Sequence, residues 1–218
     1  MFANREEAAK LLYKELLQYK DQKDAVVITI PRGGVPIGYV LAKELNLPLE
    51  IVLSKKIGHP SNKEYAIGAV TLEDKVLSNI AFQVSEDYIE EETIKIRALL
   101  KQRFNQYYGT NKPINLKGKI VILVDDGVAT GNTLISSIQL IEKQKPAEII
   151  VALPVASKTA LKRLRDFVLI ENTICLDAPD NFRAVGQFYK EFKQVGDKEV
   201  IKLLKKGNEN YTFKHSNV

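Results

Sequence analysis

The sequence predicts an α/β fold, a parallel sheet covered by helices, and two observations carry that reading. Several short runs are continuously apolar and rich in β-branched residues, Ala25 to Ile30 and Ile120 to Val124 above all, which is how strands buried on both faces read. Longer stretches with apolar residues at helical spacing alternate with them, and that alternation implies parallel crossovers. The 218 residues, 45% of them hydrophobic, suit one domain, 1–218, with an ordinary buried core.

Taken in order, Ala8, Leu12, Leu16 and Tyr19 place an amphipathic helix over residues 5–20. The strand 25–30 stops at Pro31-Arg32-Gly33-Gly34, and a helix follows to about Leu45. Leu49 to Leu53 reads as a second buried strand. Residues 54–64 are polar and contain turn formers, which predicts an exposed loop. Ala66 to Leu72 and Val76 to Phe82 alternate around Glu73-Asp74-Lys75 and suggest a β-hairpin. A long helix over 86–108 carries Ile89, Ile96, Leu100, Phe104 and Tyr107 along one stripe. After the strand 120–124 come a helix from about Thr133 to Lys145, a strand 149–153, a helix 157–165 and a strand 167–170. C-terminal helices near 183–194 and 197–206 close the series.

Composition narrows the function classes. The longest apolar runs are far too short to cross a bilayer, and the charged start shows no signal-peptide core, so a soluble cytoplasmic protein is expected. A single cysteine, Cys175, excludes an internal disulfide and Cys/His metal clusters, and is most simply a small buried hydrophobe. The net charge of +5 is spread over scattered lysines. The densest group, Lys202 to Lys206, falls on a predicted helix, where a solvated face is the default reading, so nucleic-acid binding is not expected.

The chemistry concentrates in Val121-Ile122-Leu123-Val124-Asp125-Asp126-Gly127-Val128-Ala129-Thr130-Gly131-Asn132-Thr133. In open α/β sheets ligands sit beyond the carboxyl ends of strands, where this loop lies. Two glycines and small side chains let backbone N–H groups converge, and the following helix N-terminus adds unpaired donors, so a phosphate fits there. Thr130 and Thr133 can add hydroxyl donors. The loop is one residue too short for a Walker motif and lacks its lysine. Two carboxylates beside a phosphate cradle would repel a bare phosphate, but they suit a phosphorylated sugar whose hydroxyls donate to them. The plain structural alternative is a strand ending in two acids that cap a tight turn.

This strand, acidic pair and Thr-Gly loop resemble the signature of the type I phosphoribosyltransferases. The resemblance spans roughly residues 25–195 and is specific only at 121–133. It implies a Rossmann-like parallel sheet flanked by helices, with a β flap (about 55–83) and a small C-terminal hood (about 172–206). It further implies that Asp125 and Asp126 hold the ribose hydroxyls. Gly127, Val128, Ala129, Thr130, Gly131, Asn132 and Thr133 would hold the 5-phosphate of phosphoribosyl pyrophosphate. Mg²⁺ would be held mainly by the substrate's own oxygens, so no metal-ligand set is assigned to the chain. A homodimer is expected on the same ground.

Other segments take meaning from that likeness. Arg32 offers a charged fork to pyrophosphate, and Gly33 and Gly34 permit close backbone approach, which resembles the family's pyrophosphate loop. Lys55 or Lys56 would neutralise departing pyrophosphate from the flap, with Lys56 the catalytic candidate, and Glu64 would orient the flap. His59, in a surface loop, is more simply incidental. Ala178 to Phe182, with Val185-Gly186, resembles the hood that receives a nucleobase. Phe182 would stack on the acceptor ring, or else anchor the start of the last helices. Tyr189, Phe192 and Val195 read as core.

The reaction implied is transfer of phosphoribosyl to a ring nitrogen of a nucleobase-like acceptor, with release of pyrophosphate. Two departures bear on the acceptor. Alanine at 129 stands where hypoxanthine-guanine members carry an acid, and Lys190 falls near their second metal-binding aspartate, which puts hypoxanthine-type salvage in doubt. The rival is a regulator that senses phosphoribosyl pyrophosphate without turnover. It should carry an appended DNA-binding domain or a concentrated basic face, and neither is evident. A pyrophosphokinase would ordinarily need two tandem domains.

Overall fold

In the computed structural model, residues 1–109 and 113–215 are described, apart from the side chains of Glu64, Asn210 and residues 212–215. Five parallel strands form the main sheet: β1 (Ala25–Thr29), β2 (Leu49–Ile51), β6 (Ile120–Val124), β7 (Glu148–Val155) and β8 (Asn172–Asp177), in the order β2-β1-β6-β7-β8. The continuous apolar runs explain themselves here, since every residue of β1 is buried. On one face lie α1 (Arg5–Glu15), α2 (Val35–Leu45) and α6 (Asp197–His215), packed on Val27, Leu49, Ile122 and Ile150. On the other lie α4 (Asn132–Glu142) and α5 (Lys158–Arg165), packed on Val26, Ile28, Val121 and Val151.

A second sheet, antiparallel, has the order β3-β4-β5, from Lys55–His59, Asn62–Val70 and Lys75–Leu77. It occupies the expected flap region. Ile57, Ile67 and Val70 share a core with Ile89, Ile96 and Leu100 of α3 (Glu86–Tyr108). Its β4–β5 turn is also fixed to α4, since Lys143 Nζ donates to Lys75 O at 2.7 Å. The part that projects is therefore the β3–β4 tip around His59 to Asn62.

Five sequence expectations change. The second hairpin strand, expected over Val76 to Phe82, ends at Leu77 and gives way to a 3-10 turn, Asn79–Gln83. Residues 54–64 are not a loop: they form β3 and the start of β4, because polar side chains do not prevent a hairpin whose alternate residue, Ile57, reaches a core. The strand expected at 167–170 is a turn, with the strand at 172–177, where Ile174 and Cys175 pair with Ala152 and Leu153. That strand is the edge of the main sheet, so its residues are not hood. The helix expected over 183–194 is only a 3-10 turn, Val185–Phe188, and the chain then runs extended beside the N-terminus. Finally, α1 stops at Glu15, and Leu17–Tyr19 form a separate 3-10 turn.

The order of strands sets the site. From β1 the chain crosses to β2 on one side, and from β6 to β7 on the other, so the crossovers diverge between neighbours β1 and β6. A crevice opens at the carboxyl ends of two such strands, and it is where ligands bind in sheets of this kind.

Candidate active site

The loops after β1 and β6 meet at that crevice. Ile30-Pro31-Arg32-Gly33-Gly34 leaves β1 with a cis peptide between Pro31 and Arg32 and enters α2. Asp125 to Gly131 leaves β6 and enters α4. The two segments touch through their glycines. A Cβ on Gly33 would overlap Asp126 Oδ2, and one on Gly34 would lie 2.9 Å from Val124 O and 3.0 Å from Asp125 Cα. Arg-Gly-Gly and Asp-Asp-Gly thus form one constellation, and the glycines are what allow it.

The acidic pair is held tightly. Asp125 Oδ1 accepts from the N–H of Asp126 at 2.9 Å. Asp126 is buried, and its Oδ2 accepts from Arg5 Nε at 3.0 Å and Nη2 at 2.7 Å. Arg5 Nη1 donates to Lys193 O at 2.8 Å, and the guanidinium lies 3.9 Å from the ring centre of Phe192. Tyr189 Oη donates to Asp126 O at 2.6 Å. Among the described residues, Asp125 Oδ2 and Asp126 Oδ1 have no protein donor, so one oxygen of each carboxylate faces no protein partner. Burial pushes both carboxyls above the usual aspartate range. Asp126 then raises Asp125 further, while the Arg5 charge pulls Asp126 back down.

The remainder of the loop is open. Ala129, Thr130, Asn132 and Thr133 are exposed, and Gly131, with φ of 80°, adopts the left-handed turn that glycine tolerates. α4 begins there without a side-chain cap, leaving first-turn N–H groups for another acceptor. Ser157 Oγ, at the start of α5, donates to Ala129 O at 2.6 Å. Arg163 Nη1 donates to Thr130 O at 2.7 Å and to Asn132 Oδ1 at 3.0 Å. Gly127 passes under the hood segment, where a Cβ would lie 2.6 Å from Val185 and 2.9 Å from Val155.

The other candidates are placed as follows. Arg32 is exposed and lies 3.8 Å from Asp197, which also accepts from Tyr107 Oη. Lys55 and Lys56 are neighbours on β3 and so point to opposite faces of the hairpin, which leaves at most one aimed at any given ligand. The side chain of Glu64 lies outside the described residues. His59 Nδ1 bonds Ser61 Oγ at 2.7 Å in the β3–β4 turn. Phe182 is half-buried and packs on Phe188 at a tilt of 42°, with ring centres 4.9 Å apart. Lys190 is exposed, and its N–H donates to Phe2 O. Phe192, read as core, is instead 39% exposed and serves as the platform for Arg5, while Tyr189 and Val195 are buried. Cys175 is half-buried, its thiol donating to Asp177 O, and burial pushes its pKa up.

Arg5, Ser157 and Arg163 were not foreseen. Arg5 precedes the acidic pair by 121 positions and looks like any charged residue opening a helix. Only the pairing of Phe2 and Ala3 with residues 188–191 brings it under Asp126. No periodicity or motif announces that contact.

The model of the phosphoribosyl transferase domain matches residues 3–191. A Mycobacterium tuberculosis protein provisionally named a phosphoribosyl transferase, present in two strains, is 30% identical over 97% of this chain and 48% of its own length. The chain thus spans about half the length of the curated relatives it matches. Among solved structures, TT1426 of Thermus thermophilus is 35% identical, with a TM-score of 0.84 over 93% of this chain and 97% of that one. AQ2163 of Aquifex aeolicus, at 16% identity and a TM-score of 0.50 over 92% of this chain and 82% of its own, shares the fold alone.

Proposed function

This chain belongs to the phosphoribosyltransferase domain family, and on that premise we propose that it binds phosphoribosyl pyrophosphate between β1 and β6. We infer further that it transfers the phosphoribosyl group to a nucleobase-like acceptor and releases pyrophosphate. The observation that carries the proposal is the contact of two loops at the switch point. One bears Arg32 and two glycines, and the other bears two carboxylates followed by unpaired N–H groups. Each part matches one piece of the substrate: pyrophosphate, ribose hydroxyls and 5-phosphate.

Displacement at the anomeric carbon builds positive charge on the ribose. The open oxygens of Asp125 and Asp126 would hold the ribose hydroxyls and favour that charge. Arg32, released from its long contact with Asp197, would take the leaving pyrophosphate, with Lys56 or Lys55 added from β3. Thr130, Thr133 and the N–H groups of Gly127, Ala129, Gly131 and Asn132 would anchor the 5-phosphate, whereas the N–H of Val128, expected to join them, is taken by Val155 O at 3.0 Å. Phe182, packed against Phe188, would stack on the acceptor ring. Alanine at 129 cannot accept a proton from the base, so the acceptor proton leaves by another route.

No group of three or more His, Cys, Asp or Glu side chains that could hold a metal occurs among the described residues. Two carboxylate oxygens with no protein donor still suit a hard cation that shares its shell with substrate oxygens. Mg²⁺ bound there would neutralise the pyrophosphate; Asp125 and Asp126 are the residues placed to assist.

Calorimetry with phosphoribosyl pyrophosphate and Mg²⁺ tests the binding, comparing wild type with Asp125→Asn/Asp126→Asn. Binding lost in the variant is expected, followed by pyrophosphate release when nucleobases are screened. A folded wild type that binds nothing would sink the reading. Binding without release for any acceptor would favour the sensing regulator.

A further inference from the structure

We propose that Ser157 and Arg163, at the start and on the second turn of α5, are positioning residues that turn the phosphate loop toward its ligand. The proposal rests on reading Gly127 to Thr133 as the phosphate loop. In a trans peptide the C=O and the N–H point in opposite directions across one plane. The loop's peptides are trans, since the only cis bond among the described residues is Pro31–Arg32. Ser157 Oγ draws Ala129 C=O toward α5, and Arg163 draws Thr130 C=O the same way. The partner groups of those two planes, the N–H of Thr130 and the N–H of Gly131, therefore point away from α5 into the open side of the loop. Neither has a protein acceptor among the described residues.

Without these anchors either plane could rotate and bring a carbonyl oxygen against an anion. A donor would be lost and a repulsion gained in one motion. The anchors also pin the neighbours: Arg163 holds Asn132 Oδ1, and Ser157 Oγ accepts the N–H of Ala160 at 3.0 Å as the cap of α5. The loop is thus prepared before any ligand arrives, which lowers the cost of ordering it on binding. The positive charge of Arg163 lies behind the cradle and adds a favourable field. Arg163 is exposed, so changing it leaves the core intact, whereas Ser157 also caps a helix and its loss would confound the result.

The test uses ribose 5-phosphate as the probe of the loop and Mg-pyrophosphate as the probe of the Arg32 side, on the full chain. Arg163→Met, which removes the anchors on Thr130 O and Asn132 Oδ1, should weaken ribose 5-phosphate about tenfold and leave Mg-pyrophosphate unchanged. Arg163→Lys should restore most of it. In ¹⁵N spectra, the ligand-induced shifts of the Thr130 and Gly131 amides should shrink in Arg163→Met, a readout that overall stability does not move. If Arg163→Met binds like wild type while Asp125→Asn/Asp126→Asn loses binding, the positioning role is overturned and the site reading stands. If wild type itself takes neither probe, the site reading falls and the positioning role falls with it.

Discussion

Asp125 and Asp126, at the start of the β6–α4 loop, sit in or near the core, and Asp126 is held by an arginine 121 residues away, whereas Ala129 and Thr130, a few residues on, are exposed and are held by Ser157 and Arg163 of α5. The difference follows from what each half presents. A buried carboxylate is costly unless a counter-charge meets it, and Arg5 supplies one to Asp126. Peptide N–H groups carry no net charge, so the phosphate half needs only to be aimed. One half of the site is therefore paid for by long-range structure and the other by local hydrogen bonds.

The largest effect expected from that contrast comes from breaking the clamp. Arg5 and Asp126 side chains are 11% and 12% exposed, so Arg5→Met leaves a nearly buried carboxylate without its partner. A loss of about 3–5 kcal/mol at neutral pH is expected, read from urea denaturation. The deficit should narrow on acidification, because the unpaired Asp126 then takes up a proton instead of staying charged. A loss below about 1 kcal/mol, in the range of surface pairs, would mean that the clamp is incidental.

Next in size is Gly33→Ala, which drives a methyl group into Asp126 Oδ2. Either the carboxylate leaves Arg5 or the β1 loop withdraws from the crevice. Overpacking of this kind costs about 1–3 kcal/mol. Calorimetry should also show loss of phosphoribosyl pyrophosphate binding. A variant that is folded, stable and fully competent to bind would show that the two loops need not touch.

These contacts also show how far the sequence could be read. The buried strands were legible because a strand covered on both faces has to be apolar throughout, as β1 and β6 are. The long helix was legible because Ile89, Ile96, Leu100 and Tyr107 repeat on one face of α3. The loop that carries the acidic pair was legible as a unit because Asp125, Asp126, Gly127 and Gly131 follow one buried strand and precede one helix. β3 was missed because its core contact is a single residue, Ile57, among lysines, glycine and histidine. Arg5 was missed for a different reason: its role exists only once Phe2 pairs with Tyr189 across the chain. Local chemistry leaves a pattern in the sequence, and tertiary charge pairing does not.

A gentler probe of the acidic half is pH. Both carboxyls titrate above the ordinary aspartate range in the folded chain. Between that range and the raised values, the native state holds protons that the unfolded chain has released, so stability falls as pH rises through the window. The buried carboxyl of Glu50, also raised by burial, acts in the same direction. Asp125→Asn removes the member of the pair with no direct cation, and should flatten the fall in melting temperature as pH rises above the ordinary aspartate range. An unchanged profile would place the pH dependence on Glu50 instead. No such slope is expected from the phosphate half, where Ala129 to Thr133 contain no titratable side chain.

The smallest effect is expected where the phosphate half looks most demanding. Gly131 holds φ at 80°, yet a Cβ there would find its nearest neighbours, Ala160 and Val128, at 3.8 Å, which is ordinary contact. Gly131→Ala therefore meets only the backbone cost of a left-handed residue, about 1 kcal/mol. The N–H of Gly131 is aimed by Arg163 through the Thr130 carbonyl, not by the glycine itself, so ribose 5-phosphate should bind within about twofold of wild type. Stability measured by thermal melting and affinity by calorimetry should then separate. If affinity falls far more than stability, the glycine shapes the cradle directly, and the phosphate half is as intolerant of change as the acidic one.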